Sequence, residues 1–470
     1  MSNHQLCVGA AMVDITPPME AHLCGDGTGQ HRPAHTVLES LYAKALVFDA
    51  GGQRVCMLAL DLTVVGKPYT DQIRQTVAEA LNTTPAAVIV CATQTHSAPS
   101  LGTFMLDPNF PLEMGPDTQY IRGSEDAYID FVIPQAIAAA IQAGKNLAPT
   151  QMGCGRGLLG DFSFNRRGIT RKGTIVMPKP FGVPKQPLGP KDLCYLEGPI
   201  DPEVGVLAFR GDSTMLGLLL HHTCHPVINF GKPEHYHAVS ADWPGSWSAA
   251  MQTKLGTNCV PLVVNGCCGN INPWHPFDAN FTPDHHRMGT ALATMTNQIM
   301  ASMTYTSEAC IKFTSCSIPL SFRTIPPARS AAVETILSAH PYPPFRNDGS
   351  GVDPTWFRAA STRSVELQQQ RQPYFDYEIQ VFRIGDAALV ALPGEPFVEG
   401  QLAIKLDSPA AFVQIAHMAS HYVGYLPTRE ACNRDGHESN IDVTYWAKFA
   451  PGSLEQVVQK TREMISALFS

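Results

Sequence analysis

The feature that most constrains this chain is the repeated pairing of an apolar run with a polar, turn-forming ending. The segments VIVCATQTHSAPS, LGLLLHHTCHPV, PLVVNGCCGNINPW and ALVALPGEPF each begin as a buried strand and finish in His, Gln, Asn or Glu beside Pro or Gly. Because α/β folds place their sites at the carboxyl ends of strands, these endings predict one shared site on an α/β scaffold.

Amphipathic segments separate the strand-like runs, as an α/β fold with mixed sheets and flanking helices requires. We expect one domain over 1–470, with 325–353 as the alternative internal linker or excursion, because 325–351 is rich in Pro, Ser and Arg without periodicity. The stretch 171–199 is expected to be a long surface loop. Predicted helices cover 70–81, 127–143, 244–254, 286–303 and 453–468, and predicted strands include 204–209, 215–222, 259–265, 378–384, 387–392 and 412–417.

Composition favours a globular protein that acts on a small molecule. Hydrophobic residues make up 44% of the chain, and 33 Lys and Arg stand against 41 Asp and Glu, without any basic run. This balance argues against a nucleic-acid or anionic-membrane partner. No signal peptide and no window near the roughly 20 apolar residues of a membrane span is apparent. We therefore expect a cytoplasmic protein without stable membrane association, and a homo-oligomer is compatible with the sequence.

The thirteen cysteines are scattered and form no C-x-x-C pair, which favours buried free thiols over a disulfide framework. Cys267 and Cys268 are neighbours in NGCCGN, and a metal ligand pair is the less favoured interpretation. Adjacent cysteines do not readily chelate one ion.

Single side chains at the strand ends suggest metal chemistry. Neutral imidazole is the commonest transition-metal ligand, so His225, directly before Pro226, is a natural donor, and His96 ends another strand. Glu395 is an isolated carboxylate that follows a core strand, and a cation would be a suitable partner for it. For each histidine the alternative is a hydrogen-bonded structural role, and Tyr422 and Tyr425 are more often packing residues.

The turn after PLVV combines small and amide residues. Gly266 and Gly269 let the backbone approach a ligand, and successive N–H groups over 266–270 are typical of an anion or oxyanion site. A tight structural turn is the alternative interpretation.

Taken together and in order, these motifs resemble the neutral/alkaline non-lysosomal ceramidase family. The matching segments run from about Val8 to about Glu438 and are GAAMVDITPP, Gly25, LYAKALVF, LALDL, ATQTHSAP, CHPV, SADWPG, NGCCGNINP, LPGEPF and GYLPT. The resemblance implies a ceramidase-like catalytic domain, one zinc ion per chain held by two histidines, a glutamate and a tyrosine, and hydrolysis of an N-acylsphingosine amide. After Glu438 little chain remains, so the C-terminal β-sandwich that ceramidases carry is not expected.

The resemblance also assigns residues position by position. It implies metal ligands at His225, Glu395 and Tyr425, and the remaining histidine position falls on Gln94. His96 then matches an active-site histidine that is not a ligand.

One further residue follows from the same resemblance. Arg166 matches an arginine that lines the pocket. The substrate side is predicted to include Gly25, Asn265, Gly269, Asn270 and Trp274.

Three departures from the family pattern change the expected chemistry. Gln94 is a poor zinc ligand, so either His96 swings in, or the metal is held by fewer groups, or a harder ion is preferred. Asn272 stands where the family has an essential serine, and an amide is not a nucleophile. His437 lies in Gly436-His437-Glu438 near the tyrosine ligand, and we hypothesise that it replaces the imidazole lost at Gln94.

We therefore predict a metal hydrolase, with zinc the expected metal, that cleaves an amide or ester bond of a small molecule with a metal-activated water. Asn272 and the backbone of 266–270 are expected to donate hydrogen bonds to the oxyanion, and His96 or His437 to move the proton. One alternative is a metal-dependent lyase or isomerase on a polyhydroxylated acid or sugar, for which Arg166 suits an anionic substrate. The other is a ligand-binding protein without catalysis.

Overall fold

Three larger mixed sheets with helices packed against them form the scaffold. The structure is a computed structural model and describes residues 3–26, 29–112, 116–178, 192–278 and 280–470. The predicted α/β class with mixed sheets and flanking helices is confirmed. Nearly all predicted helices and strands start and end within three residues of the observed ones.

The first sheet is antiparallel except at its last strand. Its strands in order are β1 (His4–Asp14), β2 (Tyr42–Ala50), β3 (Gln53–Leu60) and β4 (Val88–Ala92). Helix α1 (Lys67–Ala80) crosses between β3 and β4, so these two strands run parallel and both carboxyl ends lie at one edge of the sheet.

Helix α2 (Asp126–Lys145) packs on the first sheet. By length and composition alone it is apolar enough to cross a membrane, contrary to the expectation from the sequence, although a core helix passes the same test. Tyr128, Val132 and Ala136 on this helix are buried. Its last turn lies directly on β1, because a Cβ at Gly9 would meet the Ala143 carbonyl oxygen at 1.9 Å.

The central sheet repeats the pattern of one parallel pair at its edge. Its strands are β5 (Gln151–Leu158), β6 (Glu203–Arg210), β7 (Met215–His222) and β8 (Val260–Asn265), in the order β8-β7-β6-β5. Helix α3 (Asp242–Leu255) crosses between the parallel strands β7 and β8 and packs on α4 (His285–Ala301).

The segment predicted as a linker contains a helix. Helix α5 (Pro327–Ala339) begins with Pro327 and packs against α6 (Pro354–Arg371), whose first turn is capped by Asp353. The segment is therefore helical over Pro327–Ala339, and its assignment as a linker or excursion stays a prediction. Val333 is the buried residue of α5, so no apolar stripe marked the helix, and packing on α6 stabilises it.

The third sheet holds the last parallel pair. Its strands are β9 (Ile311–Leu320), β10 (Phe375–Ile384), β11 (Ala387–Ala391) and β12 (Phe412–Ala416), and α7 (Val398–Lys405) lies between the parallel strands β11 and β12. Two further helices are α8 (Arg429–Asn433) and α9 (Ser453–Phe469). Short strands cover Thr36–Val37, Ala148–Pro149, Phe164–Asn165, Gly168–Thr170, Ile175–Val176, Leu193–Leu196, Ala238–Val239, Ile271–Asn272, Tyr305–Thr306, Glu308–Ala309, Glu395–Pro396 and Tyr425–Leu426.

The predicted loop over 171–199 is only partly irregular. Ile175–Val176 and Leu193–Leu196 both pair with Gly168–Thr170 in a small sheet, and residues 179–191 lie outside the described residues.

Main-chain hydrogen bonds join the carboxyl ends of the three parallel pairs. The N–H of Ala92, the last residue of β4, donates to Met418 O (3.2 Å), and the His417 N–H after β12 donates to Asn265 O at the end of β8 (3.1 Å). The residues that follow the parallel strands of all three sheets therefore lie close together, where the sequence pattern predicts the site.

Candidate metal centre

His225 follows β7 and faces the carboxylate of Glu395. Its Nδ1 lies 3.0 Å from the Ile271 carbonyl oxygen, so the ring donates there and Nε2 keeps its lone pair. That Nε2 is 3.2 Å from Glu395 Oε2, and both side chains are buried. Burial lowers the pKa of His225 to about 3 and raises the pKa of Glu395. Two acceptors this close need a proton or a cation between them.

Gln94 follows β4 and lies next to the same carboxylate. Its backbone has φ +68°, and its amide hydrogen-bonds to Glu395. The other end of the amide meets a residue that the sequence analysis did not select, because Oε1 lies 2.7 Å from His417 Nε2. His417 ends the predicted strand 412–417, so the pattern of a polar residue after an apolar strand was present there as well.

His96 lies beside His225, with 5.6 Å between the ring centres. Its Nδ1 donates to the Gly25 carbonyl oxygen (2.8 Å), and within the described chain its Nε2 has no hydrogen-bond partner. Burial and the neighbouring His225 lower the pKa of His96 to about 3. Gly25 has φ +117°, and a Cβ there would come within 2.8 Å of the His96 carbonyl oxygen, so a glycine is needed for this approach.

These three histidines share one arrangement. In each of them Nδ1 faces a main-chain carbonyl oxygen; Nε2 of His96 and of His225 is then left unprotonated, whereas Nε2 of His417 faces the Gln94 amide oxygen, a second acceptor. Metal-binding histidines typically donate their second nitrogen in this way, which orients the ring and keeps it neutral. Together with Glu395, the donor chemistry fits a transition metal such as zinc.

Tyr425 forms the next wall of the site. It pairs with Glu395 in a short parallel strand pair and is buried, which raises the pKa of its phenol well above the usual value. The Arg166 guanidinium lies 5.4 Å from the centre of the Tyr425 ring. Arg166 also donates to Asn272 Oδ1 (3.3 Å), so the predicted arginine and asparagine are direct neighbours.

Glu438 anchors this wall between two arginines. Arg166 Nε donates to one carboxylate oxygen (2.7 Å) and Arg167 Nη1 to the other (2.8 Å). Burial alone would raise the pKa of Glu438, but the two guanidinium groups outweigh burial and lower it to about 2. Arg166 is therefore held rigidly.

His437 lies over Tyr425 rather than beside Gln94. Its ring centre is 5.5 Å from that of Tyr425 and 6.0 Å from that of Trp446. The groups that contact the Gln94 amide are Glu395, His417 and Cys268. The hypothesis that His437 replaces the lost imidazole stays a prediction, and His417 is the nearer imidazole.

The backbone of the 265–272 turn is not free to bind an oxyanion at three of its positions. The N–H groups of Gly266, Cys267 and Gly269 donate to His222 O, Gln401 Oε1 and Pro396 O. The prediction of a backbone oxyanion site over 266–270 was therefore wrong at these positions, because the turn uses these donors to join neighbouring strands.

The amide side chains of the same turn are also occupied. Asn265 Nδ2 donates to two main-chain carbonyls, and Asn270 bonds Glu399 (2.9 Å) and the Val398 N–H (3.0 Å). A Cβ at Gly269 would meet Glu395 O at 2.4 Å, so this glycine lets the Glu395 strand pass closely. Trp274 is buried nearby. The predicted substrate contacts of these residues remain predictions.

A second group of metal-competent side chains lies apart from this centre. Ligand atoms of Glu39, His285 and His286 lie within 4.8 Å of one another. Among the described residues, this is the group of three His, Cys, Asp or Glu side chains whose ligand atoms come this close together. Ser246 Oγ contacts Glu39 Oε1 (3.0 Å) and His286 Nδ1 (3.2 Å). None of these residues was predicted as a site residue.

Comparison with known proteins supports the fold. Neither a protein-family model nor a curated protein matches the sequence. The structure is similar to neutral ceramidase from Pseudomonas aeruginosa, with a TM-score of 0.68 and 17% identity over 100% of this chain and 75% of that chain. It is also similar to a ceramidase complexed with C2, with a TM-score of 0.66 and 18% identity over 99% and 75% of the two chains. The chain therefore adopts a ceramidase-like fold, which confirms, at the level of the fold, the resemblance seen in its motifs.

Proposed function

We propose that this protein is a zinc-dependent hydrolase that cleaves an amide or ester bond of a small-molecule substrate, in the manner of a ceramidase. The observation that carries the proposal is the unprotonated Nε2 of His225 facing the Glu395 carboxylate at 3.2 Å, with a second unprotonated imidazole, His96, alongside. The ceramidase-like fold supports the same class of reaction.

In this proposal His225, Glu395 and Tyr425 are metal ligands, and Gln94 occupies the fourth ligand position. When bound, the metal supplies a Lewis acid that lowers the pKa of water to about 7 and polarises the scissile carbonyl. The neutral form of His225 is the ligand form, and the Ile271 carbonyl fixes its tautomer.

His96 is the proton carrier in this proposal. Its Nε2 has no hydrogen-bond partner among the described residues, and its ring centre lies 5.6 Å from that of His225. His96 accepts a proton there and passes it to the leaving nitrogen or oxygen. His437, over the Tyr425 ring, is the alternative carrier.

Asn272 stabilises the developing negative charge. Its Oδ1 accepts from Arg166, so the amide is oriented and Nδ2 is the end that donates to the oxyanion. Arg166 in turn is fixed by Glu438, which leaves the guanidinium little freedom.

The test is turnover by the zinc-loaded protein on N-acylsphingosines, shorter N-acyl amines, esters and lactones. We expect Asn272→Ala to lower kcat by roughly 10²- to 10³-fold while the metal is retained. Asn297→Ala, which removes the same amide from the outer part of α4, is the matched control and should be unchanged. Full activity of Asn272→Ala would refute the oxyanion role.

Heavy-oxygen water separates the proposed reaction from its rivals. Hydrolysis incorporates solvent oxygen into the acyl product, whereas a metal-dependent lyase or isomerase on a polyhydroxylated acid or sugar need not. A metal-loaded protein that binds small molecules without turnover would favour the ligand-binding alternative.

We further propose a cytoplasmic protein with a small-molecule substrate, without a nucleic-acid partner or stable membrane association. The formal charge of -8 and the thirteen cysteines, all of them unpaired in the structure, support this assignment. A homo-oligomer is compatible with it.

A further inference from the structure

Arg32 is a buried arginine that lies against the main chain of the proposed proton carrier. It belongs to the connection between β1 and β2, and its side chain has no exposure to solvent. Its guanidinium carbon lies 4.8 Å from the centre of the Phe230 ring and 4.4 Å from that of Tyr236. A charged group at this depth is costly unless its N–H groups are hydrogen-bonded, so the partners of Arg32 show what it does.

The hydrogen bonds of Arg32 end on main-chain carbonyl oxygens of three segments. Nη1 donates to Cys24 O and to His96 O, both at 3.0 Å. Nε and Nη2 donate to Tyr236 O, at 3.2 and 2.7 Å. Because a guanidinium presents its donors in one rigid plane, Arg32 fixes the connection between β1 and β2, the segment after β4 and the segment after β7 relative to one another.

His96 is oriented by the two segments that Nη1 joins. Its Nδ1 donates to the carbonyl oxygen of Gly25, the residue after Cys24, at 2.8 Å. Its own carbonyl is one of the two acceptors of Arg32 Nη1, and its N–H donates to Pro226 O at 3.0 Å. The hydrogen bond that orients the imidazole therefore bridges the same two segments as the guanidinium.

The Gly25 carbonyl decides which nitrogen of His96 carries the proton. As long as Nδ1–H has this acceptor, Nε2 keeps its lone pair, and within the described chain Nε2 has no hydrogen-bond partner. Misplacement of a catalytic group by about 1 Å costs on the order of 10²-fold in rate. Proton transfer by His96 therefore depends on where the Gly25 carbonyl lies.

We propose that Arg32 is a positioning residue of the hydrolase, which holds the Cys24–Gly25 segment against His96 and so sets the place and the tautomer of the imidazole. The inference rests on the proposed function, in which His96 carries the proton. Arg32 acts through His96 alone, because its guanidinium is engaged by carbonyl oxygens and flanked by two aromatic rings. Its loss is therefore expected to impair proton transfer and to leave the metal ligands in place.

Kinetics of Arg32→Met in the zinc-loaded full chain are the first test. Methionine keeps an apolar side chain and removes the donors. We expect kcat to fall by about 10- to 100-fold with KM and bound zinc unchanged. The loss should be large for amides and alkyl esters, whose leaving groups need a proton, and small for a nitrophenyl ester, whose leaving group departs as the anion. A merely structural arginine would not produce this dependence on the leaving group.

A double-mutant cycle with His96→Ala tests whether Arg32 acts through His96. In the His96→Ala background Arg32→Met should lower kcat no further, because the imidazole that it positions is absent. Arg383→Met is the matched control, because Arg383 on β10 also donates to two main-chain carbonyl oxygens, Gly385 O and Leu468 O, both at 3.0 Å. This control should keep the kcat of the parent protein.

The tautomer of His96 gives a readout that needs no turnover. In the full chain labelled with heavy-nitrogen histidine, with His96→Gln for assignment, we expect the nitrogen shifts of His96 in the parent protein to show one tautomer with the proton on Nδ1. Arg32→Met should show both tautomers. Arg32→Lys, whose ammonium keeps a charged donor without the planar fork, should restore part of the single-tautomer signal and part of kcat. This variant decides the question if Arg32→Met folds poorly.

The outcomes separate this inference from the proposed function. An unchanged kcat or tautomer in Arg32→Met overturns the inference and keeps the hydrolase. So does a kcat loss that is equal for all leaving groups or that persists in full in the His96→Ala background. Turnover that His96→Ala leaves intact also overturns it and moves the carrier role to His437. If the parent protein cleaves no substrate, the hydrolase fails, and the tautomer in Arg32→Met alone decides whether Arg32 positions His96.

Discussion

The His225–Glu395 centre and the Glu39–His285 group each place a histidine beside a glutamate, but the pKa values of the two pairs are shifted in opposite directions. At the first, a main-chain carbonyl holds the far side of the imidazole, and burial lowers the pKa of His225 and raises the pKa of Glu395. At the second, hydrogen bonds outweigh burial, so the pKa of Glu39 is lowered and the pKa of His285 is raised.

In the second group the Glu39 carboxylate is satisfied by hydrogen bonds, and His285 faces it as an ion-pair partner although its ring nitrogens make no hydrogen bond within the described chain. Ser240 Oγ (2.5 Å) and Ser246 Oγ (3.0 Å) donate to Glu39, and His285 Nε2 lies 3.3 Å from it. Closeness of ligand atoms is thus a poor guide to a metal site. A better guide is whether a histidine nitrogen has a free lone pair, which depends on the hydrogen bond that the other ring nitrogen makes.

The largest expected difference between the two groups is in metal content. His225→Ala should lose the bound zinc and with it the turnover, whereas His286→Ala should keep both, because the Glu39 carboxylate of the second group is already engaged by Ser240, Ser246 and His285. Elemental analysis after dialysis, with activity in parallel, measures this. Equal zinc loss in both variants would contradict the comparison.

A smaller contrast is expected in stability. Glu438→Gln should lower the free energy of unfolding by about 3–5 kcal/mol, because it leaves the buried guanidinium groups of Arg166 and Arg167 short of a counter-charge. Glu39→Gln should cost less, because His285 can give up its proton when its counter-charge is removed, whereas a guanidinium group cannot. Denaturant unfolding of both variants tests this, and similar losses would show that the Glu438 pairs contribute no more than a surface contact.

The smallest contrast is in the pH dependence of stability. The pKa of Glu438 is lowered to about 2, so its contribution is complete above its unfolded value of 4.5 and is lost as pH falls toward 2. The pKa of His285 is raised above 6.5, so its contribution is complete below pH 6.5 and is lost as pH rises through the folded pKa. Glu438→Gln should flatten the pH dependence of the unfolding free energy only in acid, whereas Glu39→Gln should flatten it near neutrality and in part of the acid window, because the pKa of Glu39 is itself lowered. Any exchange of these windows would reverse the assignment.

Strand endings were the productive signal in the sequence. They led to His225 and Glu395, which the structure brings within 3.2 Å of each other, and to Gln94 and His96 close by. The same signal was present at His417 and was passed over, because the family resemblance pointed to His437 instead. Helix α5 was missed for a related reason, since its stability comes from α6 and not from an apolar stripe of its own.

By itself the sequence determined the alternation of strands and helices and the polar residues at strand ends, because hydrophobic periodicity is a local property of the chain. Only the tertiary structure decided that Cys268 rather than Cys267 faces the centre and that His417 meets Gln94. These two residues are 323 positions apart, and their contact exists because the ends of parallel strands from separate sheets meet at one place. Hydrogen bonds that the Nδ1–H groups of His96 and His225 donate to main-chain carbonyls then set which nitrogen of each ring is free, and no local pattern encodes that choice.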